Sequence, residues 1–523
     1  MTASRACNQC KASKIKCDLS RPRCGRCAKR ETKCEFPSSD PKFSFFNENE
    51  VARRNSQRAR GSKGARTPPR DLSAALVWRQ SSPGETDTNL DWKSLYPWLN
   101  ARTLANLPEP LKRDPECRAV ERFFINWVLA GGGASPGHMD FLPVLYHSSP
   151  AESTLWHAVR AIAFADLKAA FWNGATSSVR ARRSYGAALR GIRASIANGE
   201  ELANDSTFAS LLLIDSFETV YLGRTEPLGD HGQAVGLILQ LRGYTQLFSR
   251  LGFGLCSIAS HRLLSRQLLR QEYPHPVQQE LLSHLDADRP DVRIYEDAYR
   301  IATLCAEAHT VLESGDGTTD EEIKERLEHA RALRHSLQSM VKHAETLEMA
   351  SSHLWRPRSS EPSSPARKQA DLYPVGHPFA HFSSMNILVY PDTWIAFGWN
   401  FHAAAQVLLR EALISVIRFI ATHGNGGDAD SGGDDRIRWE ETAINALCSS
   451  IIRSLPPLLG FMDTSLSHGG PTQASTQQGQ VVGQCLILFA LDVLVKAEHA
   501  EQQHKAVAKE VLAWVYKNHA LAV

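Results

Sequence analysis

The chain has little that would place it in or across a membrane. Crossing a bilayer takes about 20 consecutive apolar residues. The longest apolar run here, Cys485–Val495, is short and contains Asp492. The opening residues, MTASRACNQC, lack the apolar core of a secretory signal. We therefore expect a soluble intracellular protein in a reducing compartment, with no membrane partner.

The signatures of common enzyme sites are also missing. The sequence has no H-E-x-x-H, G-x-S-x-G or Walker pattern. The glycines Gly131–Gly133 follow no predicted strand, so they indicate a loop rather than a phosphate cradle. His231, Asp392, His402 and His499 are residue types that catalyse reactions or bind metals, but isolated residues of this kind in apolar helical segments are usually structural. We predict that the protein is not an enzyme.

Alternating strand patterns and fixed-period repeats are absent as well. From about residue 116, apolar residues recur at helical spacing, which predicts an all-α body over residues 116–523. Ser351–Pro378 and Gly424–Asp435 are polar and are predicted loops. The predicted helices are Glu121–Ala130, Leu155–Phe171, Val179–Ile196, Phe208–Leu222, Gln233–Phe248, Ile258–Gln271, Val292–Leu312, Glu321–Leu347, Trp394–His423, Ile437–Phe461, Val481–Ala500 and Ala506–His519.

The net charge of +3 conceals two oppositely charged regions. Residues 1–70 hold 18 basic and 6 acidic residues, a net charge of +12, while the remainder holds 41 and 50, a net charge of −9. A basic segment on an acidic body suggests that the basic part contacts nucleic acid. From charge alone, a basic tail that is merely solvated is an equal alternative.

Residues 37–115 separate the N-terminal residues from the helical body. They are rich in Ser, Pro, Asn and Arg and show little sustained apolar periodicity, so we expect a basic and largely disordered linker. No leucine heptads occur in it, which leaves both a monomer and a homodimer open. Its basic residues suit either phosphate contact or nuclear import, and a solvated linker is equally compatible: Arg53, Arg54, Arg58, Arg60, Lys63, Arg66 and Arg70.

Six of the eleven cysteines lie within residues 7–34. They form two halves of the pattern C-x2-C-x6-C, namely Cys7, Cys10, Cys17 and then Cys24, Cys27, Cys34. A structural zinc takes four thiolates, so six cysteines serve two Zn²⁺ ions only if two of them bridge. The first cysteine of each half, Cys7 and Cys24, is the natural bridge. A disulfide framework is disfavoured in a reducing compartment.

A segment this short cannot bury an apolar core, so metal binding has to supply its folding energy. We expect short helices over 11–16 and 28–33, each after a C-x2-C turn. Nine basic residues surround the cysteines and would both balance the thiolate charge and face phosphates: Lys11, Lys14, Lys16, Arg21, Arg23, Arg26, Lys29, Arg30 and Lys33. The remaining cysteines mostly sit in apolar helical patterns and are expected to be small buried side chains: Cys117, Cys256, Cys305, Cys448 and Cys485.

The cysteine segment resembles the fungal zinc binuclear cluster domain, the Zn(2)-C6 class of transcription factors. All six cysteines fall on that family's pattern, and Pro22 matches its loop proline. The resemblance implies a nuclear regulator of RNA polymerase II transcription whose first helix enters the DNA major groove and reads a CGG-type triplet. Lys14 is then the best candidate for a base contact, beside Lys11 and Lys16. Ser13 departs from the family, which often carries a basic residue there.

Other basic residues of the segment have a different expected role. Arg21, Arg23 and Lys29 are expected to contact phosphates, which position a protein on DNA without specifying sequence. The alternative is a zinc-stabilised scaffold or co-regulator that binds proteins rather than DNA. Loss of sequence preference in Lys14→Ala would distinguish the first reading from the second.

The helical body resembles the regulatory region that follows this module in many fungal factors. The resemblance rests on three segments: RFFINWV (122–128) with GHMDFLPVLY (137–146), HGQAVGLILQLRG (231–243) and VYPDTWIAFGWNF (389–401). It implies regulation, effector response, or contact with the transcription machinery or co-regulators. The expected organisation is a DNA-binding domain at 1–36, a linker at 37–115 and a regulatory domain at 116–523.

Overall fold

The computed structural model describes the chain in separate ranges. They are residues 7, 9–10, 17–18, 23–30, 34, 115–131, 137–167, 174–313, 320–350, 357–360, 382, 385–424, 433–460, 480–519 and 521. The chain divides into two units, residues 1–74 and residues 75–523. The predicted linker at 37–115 lies outside the described residues except at its last position.

The one helix of the smaller unit whose bounds lie within the described residues is α1 (Gly25–Lys29), and Gln9 and Cys10 are also helical. The larger unit is helical, which confirms the predicted all-α body. None of its described helices is both long and apolar enough to cross a bilayer. The helices are α2 (Pro115–Trp127), α3 (Leu142–Ser148), α4 (Thr154–Leu167), α5 (Gly174–Ala197), α6 (Gly199–Leu202), α7 (Asp205–Tyr221), α8 (Gly232–Arg242), α9 (Arg250–Arg270), α10 (Pro276–Ser283), α11 (Pro290–Leu312), α12 (Asp320–Ala350), α13 (Thr393–His423), α14 (Gly433–Arg453), α15 (Leu455–Leu458), α16 (Gln480–Lys496) and α17 (Gln502–His519).

Several helices of the body begin where a polar side chain accepts a hydrogen bond from the first turn. The side chain of Asn204 accepts from the Thr207 N–H at 2.7 Å to begin α7, and Ser249 caps α9 in the same way. His275 and Gln278 form a reciprocal capping box at the start of α10. Such caps satisfy backbone donors that have no intrahelical partner, each stabilising the helix by about 1 kcal/mol.

Helix α13 is the centre of the body. Its residues are buried on nearly every face, from Trp394 to Ile420, and it contacts α11, α12, α14 and α16. A helix that is apolar all round has to be enclosed by its neighbours. The aromatic residues near its start, Trp394, Phe397 and Phe401, belong to this core.

A buried carboxylate joins three helices in the N-terminal part of the body. Asp166 of α4 accepts hydrogen bonds from Trp127 Nε1 of α2, at 3.1 Å, and from the Tyr221 hydroxyl of α7. All three side chains are almost fully buried. Burial raises the pKa of the Asp166 carboxyl from 3.8 to about 6, because the charged form is poorly solvated there.

The body departs from the all-helical prediction in one short element. Within the predicted loop Ser351–Pro378, β1 (Arg358–Ser360) pairs in antiparallel fashion with β2 (Ile387–Val389). The register places Arg358 opposite Val389 and Ser360 opposite Ile387. Three-residue strands are too short to show an alternating pattern, which is why the sequence analysis did not find them.

Two predicted helices are interrupted, and both predictions were wrong in this respect. Gln233–Phe248 ends as an α-helix at Arg242, because Gly243 adopts φ +58°, and a 3₁₀ turn follows over Tyr244–Phe248. Ile437–Phe461 divides into α14 and α15, and the break precedes Pro456, which has no backbone N–H to continue the first helix.

Other boundaries moved, and some short helices were missed. Helix α2 begins at Pro115 and ends at Trp127 rather than spanning Glu121–Ala130, and α9 begins eight residues before Ile258, at Arg250. The helices Leu142–Ser148 and Pro276–Ser283 have fewer residues than a periodicity argument needs.

We predict that Asp166→Asn weakens the pH dependence of the body's stability. Because the folded pKa is raised, this carboxyl stabilises the fold below about pH 4, and that contribution is lost as the pH rises through about 6. The wild type should therefore lose about 2–3 kcal/mol of unfolding free energy from this group between pH 4 and pH 7, and asparagine, which does not titrate, should remove that loss.

Urea unfolding at both pH values measures the difference. The exposed Glu510→Gln is the matched control and should follow the wild type. Equal pH dependence in wild type and Asp166→Asn would contradict the assignment.

Candidate metal centre and DNA-binding surface

The six cysteines of the small unit gather into a core of sulfur. Cys7, Cys10, Cys24 and Cys27 are buried, with exposed fractions of 0–3 %. The other two, Cys17 and Cys34, are half-buried and pack against them. These contacts confirm that the six cysteines cluster, as the sequence predicts. A segment of this size is too short to exclude water with an apolar core.

The distances between sulfurs are those of a metal-thiolate cluster. The Sγ atoms lie 3.7 Å apart for Cys7 and Cys24, 3.8 Å for Cys7 and Cys27, and 3.7 Å for Cys10 and Cys24. Two sulfurs bound at about 2.3 Å to one tetrahedral zinc are separated by about 3.8 Å. A disulfide would require about 2.05 Å, and none of the eleven cysteines, all of which lie within the described residues, forms one. The donor set thus fits zinc, and two Zn²⁺ ions are the cofactor that a Zn2Cys6 cluster takes.

Cys7 and Cys24 are the centre of the cluster. Each lies within 3.8 Å of two other cysteine sulfurs, and Cys24 also groups with Cys17 and Asp18. The backbone N–H of Cys10 donates to Cys7 Sγ at 3.4 Å and lowers the pKa of that thiol to about 6. The N–H of Cys27 likewise lowers the pKa of Cys24. The two C-x2-C turns thus favour thiolate in the same way.

Asp18 sets the start of α1, and sequence reasoning missed this residue. Its carboxylate accepts the Gly25 N–H at 2.8 and 3.2 Å, while Cys24, the residue before the helix, makes no side-chain cap. A Cβ at Gly25 would lie 2.7 Å from Asp18 Oδ2, so a larger residue there would force the Asp18 side chain to move. Asp18 is the one acidic residue among positions 1–30, a signal that could have indicated its role.

Because Asp18 and Cys24 place the helix start at Gly25, α1 begins three residues before the predicted range 28–33. It ends at Lys29. The predicted 28–33 range is therefore wrong at its start and includes Arg30, which lies in a turn beyond the helix; residues 31–33 lie outside the described part of the chain.

Four basic side chains of the module are exposed: Arg23, Arg26, Lys29 and Arg30. Two of them, Arg26 and Lys29, lie in the last turn of α1, where cations are favoured by the helix dipole. Arg23 and Lys29 are two of the predicted DNA contacts. The other five, together with the expected first helix, lie outside the described residues: Lys11, Ser13, Lys14, Lys16 and Arg21.

The four residues of the body that the sequence analysis considered as catalytic or metal-binding types, namely His231, Asp392, His402 and His499, each contact a partner. His231 Nε2 lies 3.2 Å from Glu218 Oε2, and this bond raises the pKa of His231. Asp392 accepts the Ile395 N–H at 2.8 Å and thereby caps α13. These contacts position helices and do not assemble a nucleophile beside a base.

The two remaining histidines are similar. His402 is fully buried, with Nε2 3.4 Å from Asp297 Oδ2, and His499 donates its backbone N–H to Glu411 at 2.9 Å.

Among the five cysteines outside the module, four are buried as expected, but Cys117 is exposed on α2, so the prediction was wrong for that residue.

The first and third of the segments that suggested a regulatory region contact one another in the body. His138, from the first segment, has its ring centroid 5.7 Å from that of Trp394, in the third. Leu129 and His138 form an isolated antiparallel bridge, and Gly137 makes the turn before it with φ +78°. Residues of all three segments belong to the hydrophobic core of the body.

Comparison with known families matches residues 5–42 to the fungal Zn(2)-Cys(6) binuclear cluster domain. Searches of curated proteins and of solved structures find no match to the chain. The matched range contains all six cysteines and α1, and a domain of this kind indicates a fungal zinc-cluster, DNA-binding regulator.

We predict that the zinc-loaded chain holds two zinc ions and that Cys24→Ser lowers this number. Cys24 is within 3.7 Å of two sulfurs, so its loss removes a ligand from the centre of the cluster. The matched control is Cys117→Ser, which changes an exposed cysteine in the body. Plasma mass spectrometry of metal per chain, after removal of loosely bound ions, checks the outcome. Two zincs retained by Cys24→Ser would contradict the central position of that sulfur.

Proposed function

We propose that this protein is a sequence-specific, zinc-dependent DNA-binding transcription factor that regulates transcription by RNA polymerase II in the nucleus. The observation that carries the proposal is the set of 3.7–3.8 Å sulfur separations within a segment that matches the zinc-cluster domain. A cluster of this kind folds a short basic segment into a rigid surface for DNA.

The six cysteines hold the two zincs, with Cys7 and Cys24 bridging both. Eight ligand positions are filled by six thiolates only if two are shared, and these are the two sulfurs with the most sulfur neighbours. Cys10, Cys17, Cys27 and Cys34 each bind one ion.

Charge supports double-stranded DNA as the partner. The cluster itself carries a net charge of about −2, whereas residues 1–70 carry +12. The exposed Arg23, Arg26, Lys29 and Arg30 present part of this excess. Phosphate neutralisation by such side chains releases counterions, which supplies most of the non-specific affinity.

Sequence reading is assigned to the segment between Cys10 and Cys17. A Lys ammonium can donate to guanine O6 and N7 in the major groove, and Lys14 is the candidate for this contact. Lys11, Ser13 and Lys16 flank it, and the expected target is a CGG-like triplet. Arg21, Arg23 and Lys29 contact phosphates and fix the orientation of the module.

The organisation proposed for the chain has three parts. Residues 1–36 bind zinc and DNA, and residues 37–115 are the linker to the body. Residues 116–523 form the regulatory body, which contacts the transcription machinery or co-regulators. A homodimer would read two triplets and a monomer one. The body is assigned regulation and not catalysis, since His231, Asp392, His402 and His499 cap helices or bind neighbouring acids.

We expect Lys14→Ala to lose sequence preference and Lys29→Ala to lose affinity for all sequences equally. Loss of a base contact should cost about 1–3 kcal/mol of discrimination. Loss of a phosphate contact should lower the slope of log affinity against log salt by about 1. Selection of random duplexes by the zinc-loaded full chain, followed by salt titration on an enriched and a scrambled duplex, measures both.

The controls separate DNA reading from a protein-binding scaffold. The exposed Lys509→Ala in the body should match the wild type, and EDTA should abolish enrichment. If a chain verified to hold two zincs enriched no sequence, the DNA assignment would fail and the scaffold alternative would replace it.

A further inference from the structure

A cleft in the helical body has the size and the lining of a ligand site. Its volume is about 350 Å³, and residues of α9, α11, α13 and α16 line it. Small-molecule pockets are typically about 300–1,000 Å³ and mostly apolar with a few polar groups. We call this space the four-helix cleft.

The floor of the four-helix cleft is apolar and closely packed. Leu268, Cys305, Ala308 and Val493 line it and are almost fully buried, at 0–3 % exposure. Burial raises the pKa of the Cys305 thiol to about 12, so this cysteine stays neutral and is a wall of the cleft rather than a nucleophile. The floor therefore suits the hydrocarbon part of a ligand.

The rim of the four-helix cleft is polar and carries carboxylates. Glu411 of α13 is 15 % exposed, and Glu498, just beyond α16, is 75 % exposed. One oxygen of each lies within 4.8 Å of the other and of a His499 ring nitrogen. Two carboxylates therefore converge on one side of an apolar space.

The cations near this rim each have a partner, and Lys505 Nζ donates to the Glu498 backbone carbonyl at 3.0 Å. Lys496 Nζ lies 2.7 Å from Asp492 Oδ2 within the same helix, and His309 lies 3.0 Å from Glu313. Arg418 is 3.8 Å from Glu498, longer than a direct hydrogen bond. The carboxylates here, Glu411, Glu498, Asp492 and Glu313, outnumber the Lys and Arg side chains, which gives the rim a negative formal charge that favours a cationic ligand.

We propose that the four-helix cleft binds a small amphipathic amine. Its hydrocarbon part lies on the apolar floor, against Ala308 and Val493, and its ammonium lies between Glu411 and Glu498. A divalent cation is the competing occupant of the same carboxylates. The amine is favoured because a bare ion would leave the apolar volume unfilled. The two oxygens of Glu411 already face the backbone N–H and Nδ1 of His499, at 2.9 and 2.6 Å, so the more exposed Glu498 provides the larger part of the charge for either occupant.

Three matched probes test the proposal: 4-phenylbutylamine, 4-phenylbutan-1-ol and 4-phenylbutyrate, titrated calorimetrically into the full zinc-loaded chain. The amine should bind about tenfold more tightly than the alcohol, and the carboxylate more weakly than either. Glu498→Gln should reduce the amine's advantage over the alcohol several-fold without changing the alcohol's affinity. The exposed Glu510→Gln, remote in sequence from the cleft, should bind all three probes as the wild type does.

A filling substitution tests the location. Ala412→Leu places a larger side chain on the wall of the cleft and should weaken the amine and the alcohol together. If that variant unfolds, Ser415→Leu on the same wall replaces it. Equal affinity for the three probes, or no binding of any, would overturn the proposal. So would saturable Mg²⁺ or Zn²⁺ binding, beyond the two cluster zincs, that is lost in Glu498→Gln while amine binding is absent.

Discussion

Coordination of cysteine sulfur by metal is the interaction on which the small unit depends. Between Cys7 and Cys34 there are too few apolar residues for a core, and the buried side chains in the described part of this segment are thiols. Thiolates held 3.7–3.8 Å apart repel one another unless cations lie between them. Zinc therefore supplies both the folding energy and the rigidity of the surface that carries Arg23, Arg26 and Lys29.

The helical body is held together in the opposite way, by burial of a long apolar helix. Because α13 is buried on nearly every face, its neighbours α11, α12, α14 and α16 are fixed around it. The four-helix cleft is a consequence of this arrangement, since helices packed around one centre leave space where small residues such as Ala308 and Ala412 lie on them. Its carboxylate rim gives that space a chemical preference.

The sequence predicted the features that depend on local spacing. Two C-x2-C-x6-C halves predicted the sulfur cluster, and helical periodicity predicted α13 to within one residue at its start and none at its end. Features that depend on residues far apart were missed. Asp18 caps α1 from seven residues before Gly25, and the Asp166 network joins residues 55 positions apart. The strand pair β1–β2 is too short to leave a pattern, and the 3₁₀ turn after Gly243 depends on one backbone dihedral.

The cluster of shared sulfurs is tested most directly by zinc X-ray absorption on the zinc-loaded chain. The proposed cluster predicts a first shell of four sulfurs per zinc at about 2.3 Å and a second zinc roughly 3 Å away, because two ions that shared the sulfurs of Cys7 and Cys24 would be close together. Nitrogen or oxygen atoms in the first shell, or the absence of a zinc neighbour, would contradict a binuclear cluster held by six cysteines.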